Sequence, residues 1–178
     1  MKILDSLPYA ATASTENVQG ETVAVRPYQI VVWVSVGIRQ IVEWDQRTPR
    51  FPAILDTGNN HNFSISRGHL ARWAGLQVPA LRQLRTMKER DRIVPLHAAR
   101  LWLHPNVSGE RLPSGARPFQ LSVEEGIAVY PDDTGPRLPV LGLRVLTANK
   151  LLTILDSDRR LLHLRSPDVR TKILRFLS

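Results

Sequence analysis

The sequence contains no cysteine. A chain without thiols has no disulfides, no thiolate nucleophile and no cysteine-ligated metal. Such a composition is compatible with a reducing compartment, and we expect a cytoplasmic protein. The N-terminus, starting at Met1 and reaching Pro8, lacks the apolar stretch of a signal peptide. The longest apolar run, Ile30–Ile38, is too short to cross a bilayer, so we expect no membrane partner.

Several signatures of cofactor and metal chemistry are also missing. The five histidines (His61, His69, His97, His104 and His163) include no pair at the i, i+4 spacing of a zinc-binding helix. There is no glycine-rich loop of the kind that opens a helix and cradles phosphate. There is no G-x-S-x-G nucleophile motif either, although a Ser/His/Asp set could still be assembled by the fold. We therefore expect no metal and no cofactor.

The net charge of +8 is concentrated toward the C-terminus. From Arg137 onward there are nine Lys or Arg residues against three Asp. A basic segment can attract nucleic acid, but aromatic side chains do not alternate with these charges as base stacking would require. We expect no nucleic-acid partner and keep nucleic-acid binding as an alternative to be tested.

The length of 178 residues and the hydrophobic fraction of 43% fit one domain with a substantial core. The pattern predicts about nine short strands and two or three short helices, without a strand–helix–strand repeat, and so a mainly β fold with a closed or folded sheet. We interpret residues 1–27 as an N-terminal arm, 28–165 as the main domain and 166–178 as a C-terminal helix. The predicted strands are Tyr28–Val36, Ile38–Trp44, Arg50–Leu55, Phe63–Ile65, two within 81–104, Phe119–Val123, Ile127–Tyr130, Leu151–Leu155 and Leu161–Leu164, and Pro139–Leu141 is a short apolar segment before Gly142. Helices are predicted after a Ser66 cap up to a stop at Gly75, and over 143–149.

Two copies of the tripeptide Asp-Thr-Gly occur, at 56–58 and 133–135. The first follows the apolar residues Ala53-Ile54-Leu55, so a buried strand would end in the Asp56 carboxylate. The second follows Tyr130-Pro131-Asp132 and precedes Pro136, which is typical of an exposed turn. Only the first is predicted to be a functional site.

Ile54-Leu55-Asp56-Thr57-Gly58 resembles the active-site signature of retropepsin-like aspartic proteases, and especially their bacterial relatives. The triplet Val140-Leu141-Gly142, followed by a short helix, is similar to the second family motif. The segments 63–76 and 151–164 resemble the helix after the catalytic loop and the terminal hairpin. Three departures are Asn59-Asn60 after the first motif, Leu143-Arg144 after the second, and a glycine-free candidate flap at Lys88–Asp91.

The resemblance implies a single-lobe, closed-barrel acid protease that acts as a homodimer on polypeptide substrates. Asp56 would be catalytic, and Thr57, Gly58 and Gly142 would support the active site. In this family the threonine hydroxyl bonds to the partner loop, and Gly142 would pack behind the catalytic loop. One useful aspartate per chain means that the second comes from another chain. The alternatives are a catalytically weak or inactive dimeric binding module of the same fold and a monomeric enzyme that pairs Asp56 with Asp133.

Overall fold

The computed structural model describes residues 1–89 and 91–167, and in this part the chain is mainly β with few helices. Its helices are α1 (Arg67–Ala74), α2 (Leu143–Ala148) and a 3₁₀ turn at Val78–Ala80. The strands are β1 (Lys2–Pro8), β2 (Ser14–Val18), β3 (Glu21–Val25), β4 (Ile30–Ile38), β5 (Phe51–Asp56), β6 (Phe63–Ser66), β7 (Gln83–Glu89), β8 (Arg92–His97), β9 (Ala99–His104), β10 (Phe119–Leu121), β11 (Ile127–Tyr130), β12 (Val140–Gly142), β13 (Leu152–Asp156) and β14 (Leu161–Arg165).

The largest sheet has nine strands in the order β10-β9-β4-β5-β12-β6-β11-β8-β7. Because β10 and β7 do not pair with each other, the sheet has two edges, and the expected closed barrel is not found among the described residues. β10 has only three residues, and β7 carries exposed polar and charged side chains. Short and charged edge strands resist further pairing, and both edges of this sheet have one of these features.

The core is built around β4, whose two neighbours are β5 and β9. Val31 and Val34 on β4, Phe51 on β5 and Leu101 on β9 are completely buried. α1 covers this core with Leu70 and Trp73, both of which are buried. Burial of β-branched and aromatic side chains from three adjacent strands is the main stabilising contribution to this part of the fold.

α1 begins and ends where the sequence predicts. The Ser66 hydroxyl oxygen accepts a hydrogen bond from the His69 amide at 3.1 Å, which makes Ser66 the N-cap. Gly75 ends the helix with φ of 67°, a left-handed conformation that favours glycine. The predictions of α2 and of the β13–β14 hairpin are also confirmed.

Two local predictions are wrong. Ile38–Trp44 does not form a return strand, and Val42 is 68% exposed in a loop. Both sides of β4 are already occupied by β5 and β9, so no edge is left for a returning strand. Residues 81–104 form three strands rather than two, because β8 ends at His97 and β9 begins at Ala99 with different partners, β4 and β10.

Residues 1–27, interpreted as an arm, contribute β1, β2 and β3 to the fold. β1 pairs with β14, and β14 pairs with β13, in a separate three-stranded sheet. Ile3, Leu4 and Leu7 of β1 are buried in the main core. The helix predicted over 166–178 lies outside the described residues from Asp168 onward. Within the described ranges, no helix has the length and apolar character needed to cross a bilayer.

Candidate functional site

β5 carries Asp56 to the surface. Its residues 51–55 are buried, and Asp56, the last residue of the strand, is exposed. One carboxylate oxygen, Oδ1, accepts a hydrogen bond from the Gly58 amide at 2.8 Å. The Asp-Thr-Gly turn therefore holds its own aspartate by a local side chain–backbone bond, a common use of Asp in turns.

Asn59 organises the rest of this loop. Its amide nitrogen Nδ2 donates to the Ser64 hydroxyl at 3.1 Å, and its Oδ1 accepts from the His61 backbone N–H at 3.1 Å. The backbone N–H of Asn59 donates to the carbonyl of Asp56 at 3.3 Å. Asn59 thus connects Asp56 with β6. From the sequence alone, Asn59 was identified only as a departure from the family pattern.

Gly142 lies beside Asp56 although 85 residues separate them in the chain. β12 runs between β5 and β6, parallel to β5, and Gly142 is the register partner of Asp56. The Gly142 amide donates to the Asn62 carbonyl at 3.1 Å. A Cβ at this position would collide with the His61 carbonyl oxygen and lie 2.8 Å from that of Asn59. Only glycine lets β12 approach the loop this closely.

A cleft of about 670 Å³ opens next to this loop. Thr57 is exposed and lines it together with Asn59, Asn60, Leu143 and Arg144. The cleft therefore joins the Asp-Thr-Gly loop to the start of α2. Gly58, the remaining predicted support residue, is exposed at the turn, and its ideal Cβ would lie 3.3 Å from Asp56 Oδ1.

Charged side chains form part of the wall of the cleft. Glu125 forms ion pairs with Arg144 of α2 and, at 2.9 Å, with Arg85 of β7. All three side chains are about half exposed, so each pair contributes little to stability. The two ion pairs matter for geometry instead, because they link the β7–β8 hairpin to the wall of the cleft.

Three residues near the loop were not identified from the sequence. The Tyr130 hydroxyl lies 2.9 Å from His61 Nε2 and 3.0 Å from Glu89 Oε2. Burial lowers the pKa of His61, against an opposing influence of Glu89. Burial also raises the pKa of Tyr130, and Glu89 raises it further. The three residues come from a loop, a strand and a hairpin, and no local sequence signal connects them.

The second Asp-Thr-Gly forms a turn, as predicted, and Asp133 is exposed. β11, which precedes it, runs parallel to β6, and β6 runs antiparallel to β12 and hence to β5. Asp56 and Asp133 therefore follow strands that run in opposite directions, and the described structure does not bring them together. The turn has a structural role instead: Asp132 Oδ1 accepts the Gly68 N–H at 2.6 Å, which lowers the pKa of Asp132.

Within residues 1–89 and 91–167, no group of three or more His, Asp and Glu side chains is arranged to hold a metal ion. The arrangement that does exist is an exposed carboxylate on a hydrogen-bonded loop, beside a cleft.

Comparison with known proteins gives no match, whether to a family model, to a curated protein or to a solved structure. Proposals about this chain therefore depend on its residues and their geometry.

Proposed function

We propose that this chain is a homodimeric aspartic endopeptidase of retropepsin-like fold, in which Asp56 from each of two chains forms the catalytic dyad. The observation that carries the proposal is the pairing of Gly142 with Asp56 at the ends of β12 and β5. The two sequence motifs on which the family resemblance depends are distant in the chain and adjacent in space. The open sheet edge at β7 is a difference from the closed barrel that the resemblance implies.

Two carboxylates across a dyad axis can divide the chemistry of peptide hydrolysis. Carboxylates about 3 Å apart do not both ionise, so the pair shares one proton and titrates as a unit. The ionised Asp56 takes a proton from water, and the water oxygen attacks the peptide carbonyl carbon. The protonated Asp56 of the other chain donates to the carbonyl oxygen. The Asp56 that took the proton from water then donates it to the amide nitrogen, while the other Asp56 takes a proton back from a hydroxyl of the tetrahedral diol, so that the C–N bond breaks and a carboxylic acid and an amine are released.

The substrate would be an extended polypeptide bound along the cleft at Thr57, Asn59 and Leu143. Exposed backbone and amide groups would bond to the peptide main chain, while apolar surface would receive its side chains. The chemistry requires no cofactor or metal, and we place the protein in the cytoplasm, without a membrane or nucleic-acid partner.

β13 is the edge we propose for the dimer. Both β1 and β13 are edge strands of the three-stranded sheet. The edge at β1 is covered by the loop that contains Asn106 and Gly109. The backbone N–H of Asp5 donates to Asn106 Oδ1, and the Asp5 carbonyl accepts from Asn106 Nδ2 and from the Gly109 amide. β13 leaves Leu152, Ile154 and Leu155 exposed, at 56%, 39% and 55%. Pairing of β13 with its symmetry mate would cover this apolar edge.

The experiment is cleavage of a broad peptide library by the purified full-length chain at mildly acidic pH. We expect cleavage by the wild type and by Asp45→Ala, a control at an exposed aspartate in the loop between β4 and β5, and none by Asp56→Ala. Cleavage that survives Asp56→Ala would overturn the assignment.

A second candidate is a dimeric binding module of the same fold without turnover. The hairpin tip favours it, since the tip has no glycine and is fastened at two points: Glu89 to Tyr130, and Arg92 to the Thr134 carbonyl at 3.4 Å. Such a protein would bind peptides without cutting them. Its signature would be peptide binding by both the wild type and Asp56→Asn, with no product from either.

A further inference from the structure

The β7–β8 hairpin packs against β11 through a small hydrophobic cluster separate from the main core. Val94, Leu96, Ala128 and Tyr130 are buried there, and Met87 packs against them. The register places Met87 opposite Val94 and ends at Glu89 opposite Arg92, so the hairpin tip extends beyond the cluster. The position of the tip therefore depends on the polar contacts that it makes.

The main polar contact is the hydroxyl of Tyr130. It lies between Glu89 Oε2 at 3.0 Å and His61 Nε2 at 2.9 Å, while Glu89 Oε1 is 3.9 Å from the same His61 nitrogen. Tyr130 and His61 are 7% and 4% exposed, whereas the Glu89 side chain is 46% exposed. The hydroxyl thus joins a partly solvated group on the hairpin to a buried group on the Asp56 loop.

The chemistry of the three groups fixes the direction of the bonds. An ionised carboxylate can only accept, so the Tyr130 hydroxyl donates its single proton to Glu89. The Tyr130 oxygen must then accept from His61, which requires a proton on Nε2. Burial lowers the pKa of His61 and raises that of Tyr130, so both groups are neutral at neutral pH.

The connection continues from His61 to the aspartate. The backbone N–H of His61 donates to Asn59 Oδ1, and the backbone N–H of Asn59 donates to the carbonyl of Asp56. A path of hydrogen bonds that passes through His61 and Asn59 therefore runs from the hairpin tip to the residue proposed as catalytic. Hydrogen-bond networks of this kind make the positions of their members depend on one another.

We propose that Tyr130 is a positioning residue that couples the β7–β8 hairpin to the Asp56 loop through Glu89 and His61, and so sets the geometry of the cleft for an extended peptide. This proposal rests on the proposed protease function for its substrate. The coupling itself is a property of the folded chain and can be measured without turnover.

The first measurement is amide hydrogen exchange of the full-length chain. Tyr130→Phe removes the hydroxyl alone, and Tyr28→Phe makes the same change at a residue that is 66% exposed. We expect Tyr130→Phe to raise exchange about fivefold at 86–89, 92–94 and 57–62, since the hydrogen bonds of the hydroxyl to Glu89 and to His61 are both lost. Exchange in β4 and β9 should not change, and Tyr28→Phe should match the wild type.

Variants of Glu89 test the same link from its other end. Glu89→Gln keeps a carbonyl oxygen that can accept from Tyr130 and should resemble the wild type, whereas Glu89→Ala should resemble Tyr130→Phe. Combining Glu89→Ala with Tyr130→Phe should add no further increase. Unchanged exchange in Tyr130→Phe, or an equal increase throughout β4 and β9, would overturn the coupling.

The second measurement is the kinetics of peptide cleavage. A loosened hairpin must be ordered when the substrate binds, so Tyr130→Phe should raise KM about fivefold and change kcat much less. An unchanged KM in an active enzyme would overturn the role of Tyr130 in substrate positioning. If the wild type does not cleave, the protease proposal fails, and the exchange data still decide whether the coupling exists.

Discussion

Gly142 and Asp56 are register partners at the ends of two parallel strands, and the Gly142 backbone fills the space behind the Asp56 loop. Gly142→Ala would place a methyl group against the carbonyl oxygens of His61 and Asn59. We expect a loss of about 1–3 kcal/mol in the free energy of unfolding from this overpacking. Peptide cleavage should also fall, because the loop must move.

The control for this change is Gly115→Ala, because an added Cβ there would meet no atom within 4 Å. Urea unfolding of the two variants and the wild type provides the comparison. A Gly142→Ala protein as stable as Gly115→Ala would show that the Asp56 loop can move to accommodate the methyl group and that the close approach of β12 to this loop is not required.

A pH prediction follows from His104. Burial lowers the pKa of this side chain to about 4, with a smaller contribution from Arg50. The unfolded chain therefore binds a proton near pH 6.5 that the folded chain does not bind until about pH 4. The free energy of unfolding should be highest above about pH 6.5 and should fall by about 3 kcal/mol as the pH drops to about 4. Burial also lowers the pKa of His61 and His69, which adds in the same direction.

Urea unfolding between about pH 7 and about pH 4 measures this effect. His104 is also bonded to Ser35, with 2.8 Å between Nε2 and Oγ. His104→Gln keeps a donor toward Ser35 and cannot titrate, so its stability should depend less steeply on pH. An equal pH dependence in the variant and the wild type would show that His104 is not its source.

The sequence could predict the features that depend on residues close together in the chain. The bounds of α1 depend on a cap at Ser66 and a left-handed glycine at Gly75, both of which are visible within a few residues. The position of Asp56 at the end of a buried strand was predictable for the same reason.

The features that the sequence could not predict depend on which strands pair in the folded chain. Ile38–Trp44 has the composition of a strand, yet both edges of β4 are taken by β5 and β9. The contact of Tyr130 with His61 and Glu89 joins residues 69 and 41 positions apart. Such contacts arise only from the strand order and the hairpin packing, which no local pattern encodes.

A dimer prediction concerns β13. Sedimentation equilibrium should give twice the chain mass of 20.1 kDa. Ile154→Lys places a charge at the middle of the exposed edge and should weaken association at least about tenfold, since edge lysines oppose strand pairing.

Val42→Lys is the matched control for this substitution, because Val42 is a 68% exposed apolar residue in the loop between β4 and β5. It should leave the mass at that of the dimer. Ile154→Lys protein that still sediments as a dimer would exclude β13 as the interface, and a monomeric wild type would exclude the shared dyad.

Asp133 tests the alternative of a one-chain active site. It follows a strand antiparallel to β5 and lies in an exposed turn. Asp133→Ala should therefore leave kcat/KM for peptide cleavage within about twofold of the wild type. A loss comparable to that of Asp56→Ala would instead indicate that the two aspartates act together in one chain.

The most direct test of the shared dyad is to mix wild-type chains with Asp56→Asn chains at constant total concentration and to measure cleavage after the subunits have exchanged. If each site needs Asp56 from two chains, activity follows the square of the wild-type fraction, and an equal mixture retains about one quarter of the activity. Activity proportional to the wild-type fraction, with about one half retained in the equal mixture, would mean that each chain acts alone and would contradict the account.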